Sequence, residues 1–122
     1  MEDKTLYQRL GGYDAIAALV NVLLPRMMSD PQLARFWRDR SDDSRAREKQ
    51  LLIDYLASAS GGPVYYSGRG MNLSHRGLGI SAADWQSFLG HLEVTLAELA
   101  VPASEAREVM AFIQSTRADV LV

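Results

Sequence analysis

The chain of 122 residues contains no cysteine. That absence excludes disulfides, thiolate nucleophiles, thiolate-bound zinc and iron–sulfur clusters together. Histidine is almost as scarce, with only His75 and His91, so imidazole chemistry has few places to be. Structural zinc needs four ligands and catalytic zinc usually three from the protein, for which two distant histidines are a poor set. An excess of one charge is missing too. The formal net charge of -2 gives no electrostatic case for nucleic acid or for an anionic membrane as partner. No apolar run approaches the roughly 20 residues of a membrane helix. The opening "MEDKTLYQRL" has no apolar signal core, so a cytoplasmic protein, monomeric or weakly dimeric, is expected. Repeats and linkers are absent as well, which predicts one domain over residues 1–122. What is present is ordinary for a folded chain: 48% apolar and 23% charged residues, ample for a core.

Apolar spacing predicts helices almost throughout. "KTLYQRL" reads as a short first turn or two, broken by Gly11-Gly12. Ile16, Leu19, Val20, Leu23, Leu24 and Met27 then form a stripe at steps of three and four, ending near Ser29. Pro25 falls inside it, where the missing N–H predicts a kink or an early end to the regular part. Asp30-Pro31 reads as an N-cap and first position of a short helix through Leu33, Phe36 and Trp37. A polar corner, "RDRSDDSRAR", precedes a helix from about Asp43 to Ser58 with Leu52, Tyr55, Leu56 and Ala59 on one side. The glycine-rich "SGGPVYYSGRG" reads as a loop, followed by a short helix from Met71 to Arg76. Ser81 to Asp84 is an S-x-x-D capping box opening a long helix with Trp85, Phe88, Leu89, Leu92, Leu96 and Leu99 on one face. Val101-Pro102 restarts the chain into one last helix carrying Val109, Phe112, Ile113 and Val120. Nothing alternates with period two, so the fold is all-α.

The segment "GRGMNLSHRGLGI" sets His75 among Met71, Leu73 and Leu78, with glycines on both sides. Three readings are open for such a histidine: a surface residue, a hydrogen-bonded core residue, or the ligand of a metal-containing cofactor. Haem asks the protein for a single ligand, because the porphyrin nitrogens supply the rest. The pieces "YQRLGGYDAI", "DPQLARFW", "GGPVYYSGR" and "MNLSHRGLGI" bear on that choice. In this order and spacing they resemble the group I truncated haemoglobins, over nearly the whole chain from "LYQRLGG" to "STRADV". The segment "HLEVTLAELAVP" matches in kind. The resemblance implies a two-over-two helical sandwich around haem b, with reversible binding of oxygen, carbon monoxide or nitric oxide.

Carried over residue by residue, the resemblance makes His75 the proximal ligand through Nε2, with Met71, Leu73 and Ile80 lining its side of the haem. Trp37 stands where the family usually has a phenylalanine wedged against the porphyrin, and Phe88 falls on a position over the porphyrin. Phe36 and Trp85 are expected in the core. On the opposite side, Leu24 occupies the place of the family's tyrosine and offers no hydrogen-bond donor. The distal glutamine corresponds to Gln50 when the helix is aligned from its N-terminal side, and to Leu52 when aligned back from Gly61-Gly62; Gln50 is favoured. Ala46 takes the pocket-gating position and Lys49 is solvated. Tyr66 and Arg69 either reach the haem propionates or simply face solvent, while His91 is a structural, hydrogen-bonded histidine. Leu24 predicts weak retention of oxygen relative to the family. Two other functions stand beside gas binding. One is a nitric oxide dioxygenase or peroxidase side activity, which would add an unidentified reductase as partner. The other is a haem-free helical interaction module.

Overall fold

The computed structural model describes residues 4–64, 66, 68, 70, 75 and 77–121. Helix α1 (Leu6–Leu10) starts at Thr5, whose hydroxyl accepts from the Gln8 amide at 3.1 Å while the Gln8 side chain accepts from the Thr5 amide at 2.9 Å. This reciprocal cap satisfies donors that every helix start leaves open. The helix ends on Gly11 at φ 111°, and Gly12 comes next at φ 82°, left-handed values that a side chain would strain. The chain therefore turns at once into α2 (Tyr13–Ser29).

Helix α2 divides its apolar residues between two neighbours. Leu19 and Leu23 join Trp85, Leu89, Leu92 and Leu96 of α4 (Ala82–Glu98) and Val109 and Ile113 of α5 (Ala103–Ser115). Ile16, Val20 and Leu24, at four-residue steps, meet Ile53 and Ala57 of α3 (Asp42–Ala59), together with Leu33 and Trp37. The pairs α2–α3 and α4–α5 are stacked through contacts of α2 with α4. Among the described residues there is no strand. Each fully buried leucine, such as Leu23 or Leu92, contributes about 1.5–3 kcal/mol to this arrangement.

Local expectations mostly hold, with three differences. Helix α2 is continuous across Pro25 to Ser29, rather than ending early. Pro25 and Asn21 are both exposed, so the missing donor falls on the solvent-facing side of α2, where it costs least. Asp30 is not the N-cap of a helix: it ends α2, its carboxylate accepts locally from the Gln32 amide at 2.9 Å, and the chain passes through a turn into a single 3-10 turn, Ala34–Phe36, whose N-cap position is Leu33. The expected last helix is broken at Thr116 into α5 and α6 (Arg117–Val120). There the Ser115 and Thr116 hydroxyls donate to the carbonyls of Phe112 and Ile113 at 2.5 and 2.7 Å, local bonds that compete with the helix ladder.

The remaining caps agree with the sequence. Helix α3 starts from Ser41, whose hydroxyl accepts from the Ser44 amide at 3.1 Å. Ser81 and Asp84 form the reciprocal box at the head of α4. The predicted helix from Met71 to Arg76 lies largely outside the described residues, although His75 itself is helical. Helix α1 is docked by the second glycine pair. The Tyr7 amide donates to the Ser60 carbonyl at 2.8 Å, and the Tyr7 ring lies 2.6 Å from where a Cβ on Gly62 would stand.

Candidate functional site

The helices line a partly open cavity of about 400 Å³ whose walls are mainly aliphatic and aromatic. Helix α3 supplies one side with a repeat of three and four: Ser44, Arg47 and Glu48, Leu51 and Leu52, Tyr55 and Leu56. Leu24 and Met27 come from α2, Phe36 and Trp37 from the corner after the 3-10 turn, and Trp85 and Phe88 from α4. His75, Leu78 and Ile80 join the same wall, and Ile113, Thr116 and Val120 complete it.

Polar groups in the wall are concentrated in two places. Arg40, Ser44, Arg47 and Glu48 come from the corner and the first turns of α3, where Arg40 Nη1 donates to Glu48 Oε2 at 2.5 Å. The second place is Asp84, only 2% exposed. Its carboxylate accepts from Arg35 Nη2 at 2.5 Å, from Arg35 Nη1 at 3.2 Å, from Gln32 Nε2 at 3.1 Å and from the Ser81 amide at 2.9 Å. The Arg35 guanidinium holds this carboxyl well below the usual carboxylate range, against the opposing effect of burial. Arg35 also stacks over Phe36, 4.2 Å from the ring centre. The clamp joins the corner that carries Phe36 and Trp37 to the head of the helix that carries Trp85 and Phe88, so four aromatic residues of the wall are fixed relative to one another.

At another part of the wall Tyr55 and Tyr66 meet edge to face, 5.3 Å between ring centres, and burial pushes both phenol groups above their ordinary pKa. Tyr66 is thus a half-buried wall residue, not a solvent-facing one. Arg69, Met71 and Leu73 lie outside the described residues.

Of the remaining sequence candidates, the cavity brings together His75, Trp37, Ile80, Phe88, Leu24 and Leu52. It does not include Gln50. That side chain is exposed, its Nε2 donating to the Tyr13 hydroxyl oxygen at 2.7 Å and to Asp54 Oδ1 at 3.0 Å. The reason is helical phase: two residues along α3 is a rotation of about 200°, so when Leu52 faces the cavity Gln50 faces away. Trp85 and Phe36 line the cavity as well as packing in the core. Ala46 lines a separate groove instead of the cavity. His91 is structural, as expected, with Nε2 2.7 Å from Asp30 Oδ2. Sequence reasoning missed Glu48, Leu51 and Tyr55 as wall residues. Their spacing with Leu52 and Leu56 carried the signal.

The bacterial-like globin family matches residues 5–122. Among individual relatives, the group 1 truncated haemoglobin of Chlamydomonas moewusii is 33% identical over 96% of this chain and 68% of its own length. That of Mycolicibacterium paratuberculosis is 31% identical over 92% of this chain and 80% of its own. The chain belongs to the truncated haemoglobins. The fold agrees. The crystal structure of truncated haemoglobin from Tetrahymena pyriformis in the Fe(III) form superposes with a TM-score of 0.87 at 28% identity, covering 97% of this chain and 98% of that one. The two-over-two haemoglobin of Synechococcus, solved in the cyanomet state with covalently attached haem, gives 0.88 at 27% identity, with coverage of 97% and 98%.

Globin membership implies haem, and the donor set in this truncated haemoglobin fits one. A porphyrin is a flat apolar body with carboxylates along one edge and a metal that takes one protein ligand. The cavity offers apolar walls, a single imidazole and one cationic corner at Arg40 and Arg47. Those are the features the group requires.

Proposed function

We propose that the chain binds haem b in this cavity through His75 and takes up a diatomic gas there, with weak retention of oxygen. Bound haem would supply an iron able to coordinate oxygen, carbon monoxide or nitric oxide. The single observation that carries this reading is an imidazole set in the wall of a largely apolar cavity, in a chain with no other cavity-lining histidine.

The side chains do the rest. His75 would hold the metal through Nε2, and its other ring nitrogen is oriented by whatever acceptor it meets. Trp37, Phe88, Trp85 and Ile80 supply apolar contact for the porphyrin faces and keep water from the cavity interior. Arg40 and Arg47 supply cations suited to the carboxylate edge. Across from them in kind are Leu24, Leu51 and Leu52, which α2 and α3 turn into the cavity where a donor would be needed to hold a ligand carrying negative charge. None has one. Glu48, when ionised, only accepts. Such a site captures gas and lets oxygen go readily, and it gives little help to reactions in which charge builds up on oxygen. Gas binding is therefore favoured over dioxygenase or peroxidase work.

The test is the absorption spectrum of purified protein, ferric and ferrous, with and without carbon monoxide. A Soret band that shifts on reduction and again with carbon monoxide is expected, and His75→Ala should abolish stable haem retention. A His75→Ala protein that keeps haem with an unchanged five-coordinate spectrum refutes the assignment.

A further inference from the structure

Besides His75, the wall of the main cavity carries the ionisable side chains Arg40, Arg47, Glu48 and Asp84, together with the two tyrosines. Asp84 is already closed off by Arg35. The other three stand together at the corner and in the first turns of α3, and their charges are unevenly matched. Arg40 Nη1 donates to Glu48 Oε2 at 2.5 Å, while Arg47 takes part in none of the ion pairs among the described residues. The corner thus holds two guanidiniums and one carboxylate. The Arg40 and Glu48 side chains are 35% and 37% exposed, a setting in which an ion pair stabilises a fold little. Helix α3 does not depend on it either, since its head is capped by Ser41. What the pair does change is the charge available at this end of the cavity.

We infer that Glu48 is a specificity residue of the haem seat, competing with the porphyrin's own carboxylates for Arg40 and weakening the hold on them. The inference rests on the haem reading above. Haem b brings two propionates, both ionised at neutral pH. Three carboxylates then share two guanidiniums. Arg40 keeps donors beyond Nη1, so its bond to Glu48 need not break when a propionate arrives. A guanidinium whose charge is already offset attracts a second carboxylate less, however, and the Glu48 carboxylate repels it. Ser44, the neutral member of the same corner, does not redress the count. If Glu48 served instead to orient Arg40 toward a propionate, it would tighten the hold. The two roles differ in sign, which makes them separable.

The measurement is haem loss from the ferric, haem-loaded protein, timed in the Soret region with excess apomyoglobin as acceptor. Glu48→Gln should slow the loss about two- to fivefold, the range a partly exposed ion pair supplies. Glu48→Ala should act in the same direction, while Arg40→Met and Arg47→Met should each speed the loss. Glu93→Gln, at an exposed position of α4 outside the cavity wall, removes the same charge and should change nothing. The dimethyl ester of haem carries no free carboxylate, so the parent and Glu48→Gln should release it at equal rates. The gain with haem itself should shrink in roughly 1 M salt, where charges are screened within about 3 Å. Unchanged or faster haem loss in both Glu48 variants overturns the inference. So does equal slowing with the ester, which would make side-chain shape and not charge the cause. A parent protein that forms no Soret band overturns the haem reading and this inference together; a normal Soret band with either contrary result overturns this inference alone.

Discussion

Placing a hydroxyl at position 24 is the most direct test of how this cavity would treat oxygen. Leu24 is 4% exposed and stands between the main cavity and the groove beside it, forming part of both walls. A tyrosine there has space on either side, so the cost of overpacking falls toward the low end of the usual ~1–3 kcal/mol. A neutral hydrogen bond contributes about 0.5–1.5 kcal/mol net, and one to an acceptor with partial negative charge about 1–3 kcal/mol. At ~1.4 kcal/mol per factor of ten, Leu24→Tyr should slow oxygen dissociation by about 5- to 150-fold. Stopped-flow displacement of oxygen by excess carbon monoxide reads this rate directly. Leu24→Phe supplies the ring without the hydroxyl and should stay within about threefold of the parent, because dispersion contacts alone do not distinguish oxygen from carbon monoxide. Carbon monoxide dissociation should change far less than oxygen dissociation in either variant. An unchanged or faster oxygen rate in Leu24→Tyr refutes the reasoning, as does equal slowing by phenylalanine, which would make bulk and not hydrogen bonding the cause.

Leu52→Gln should slow oxygen dissociation by several-fold in the same assay, whereas Gln50→Ala should leave gas kinetics unchanged and cost less than about 1 kcal/mol of stability through the exposed Tyr13 contact. Asp84→Asn removes the charge of a buried, multiply bonded carboxylate and should cost about 2–4 kcal/mol in urea unfolding at pH 7. Because the folded pKa of Asp84 lies below the unfolded value of about 3.9, its stabilisation is present above that value and is lost as pH falls below it. The acid branch of the stability profile should accordingly be shallower in Asp84→Asn than in the parent. Gly62→Ala would put a methyl group 2.6 Å from the Tyr7 ring and 2.8 Å from the Ala57 carbonyl, and should lower the thermal midpoint by the equivalent of about 1–3 kcal/mol; an unchanged midpoint would show that α1 is not docked through this contact.

Helix positions and caps were legible because they depend on residues close in sequence. The Ser81–Asp84 box and the Gly11-Gly12 break each act within a few residues, and each appears where its pattern predicts. The helix break at Thr116 was not legible, since a hydroxyl returning to a carbonyl one turn back is equally compatible with a continuing helix. The Arg35–Asp84 clamp joins residues far apart in the chain, and no periodicity encodes it. Nor does any local signal reveal the groove at Ala46, which needs two helices brought together before a small side chain becomes a space.

The assignment of the α3 face shows where such reading stops and what would have carried it further. Counting forward from the corner put Gln50 inside; counting back from Gly61-Gly62 put Leu52 there. The choice is settled by chemistry already in the helix. Gln50 and Asp54 are one turn apart and polar, whereas Leu51, Leu52, Tyr55 and Leu56 form the apolar repeat, so only the second register keeps the polar pair out of an apolar cavity. With that register, Leu24 of α2 and Leu51 and Leu52 of α3 all line the cavity, and none of these side chains carries a donor. A single lost donor could be covered by a neighbouring amide. With leucines at these positions, bound oxygen would gain no hydrogen bond from them, the contact that separates it from carbon monoxide. Discrimination in favour of oxygen needs a donor, and the leucines at positions 24, 51 and 52 have none.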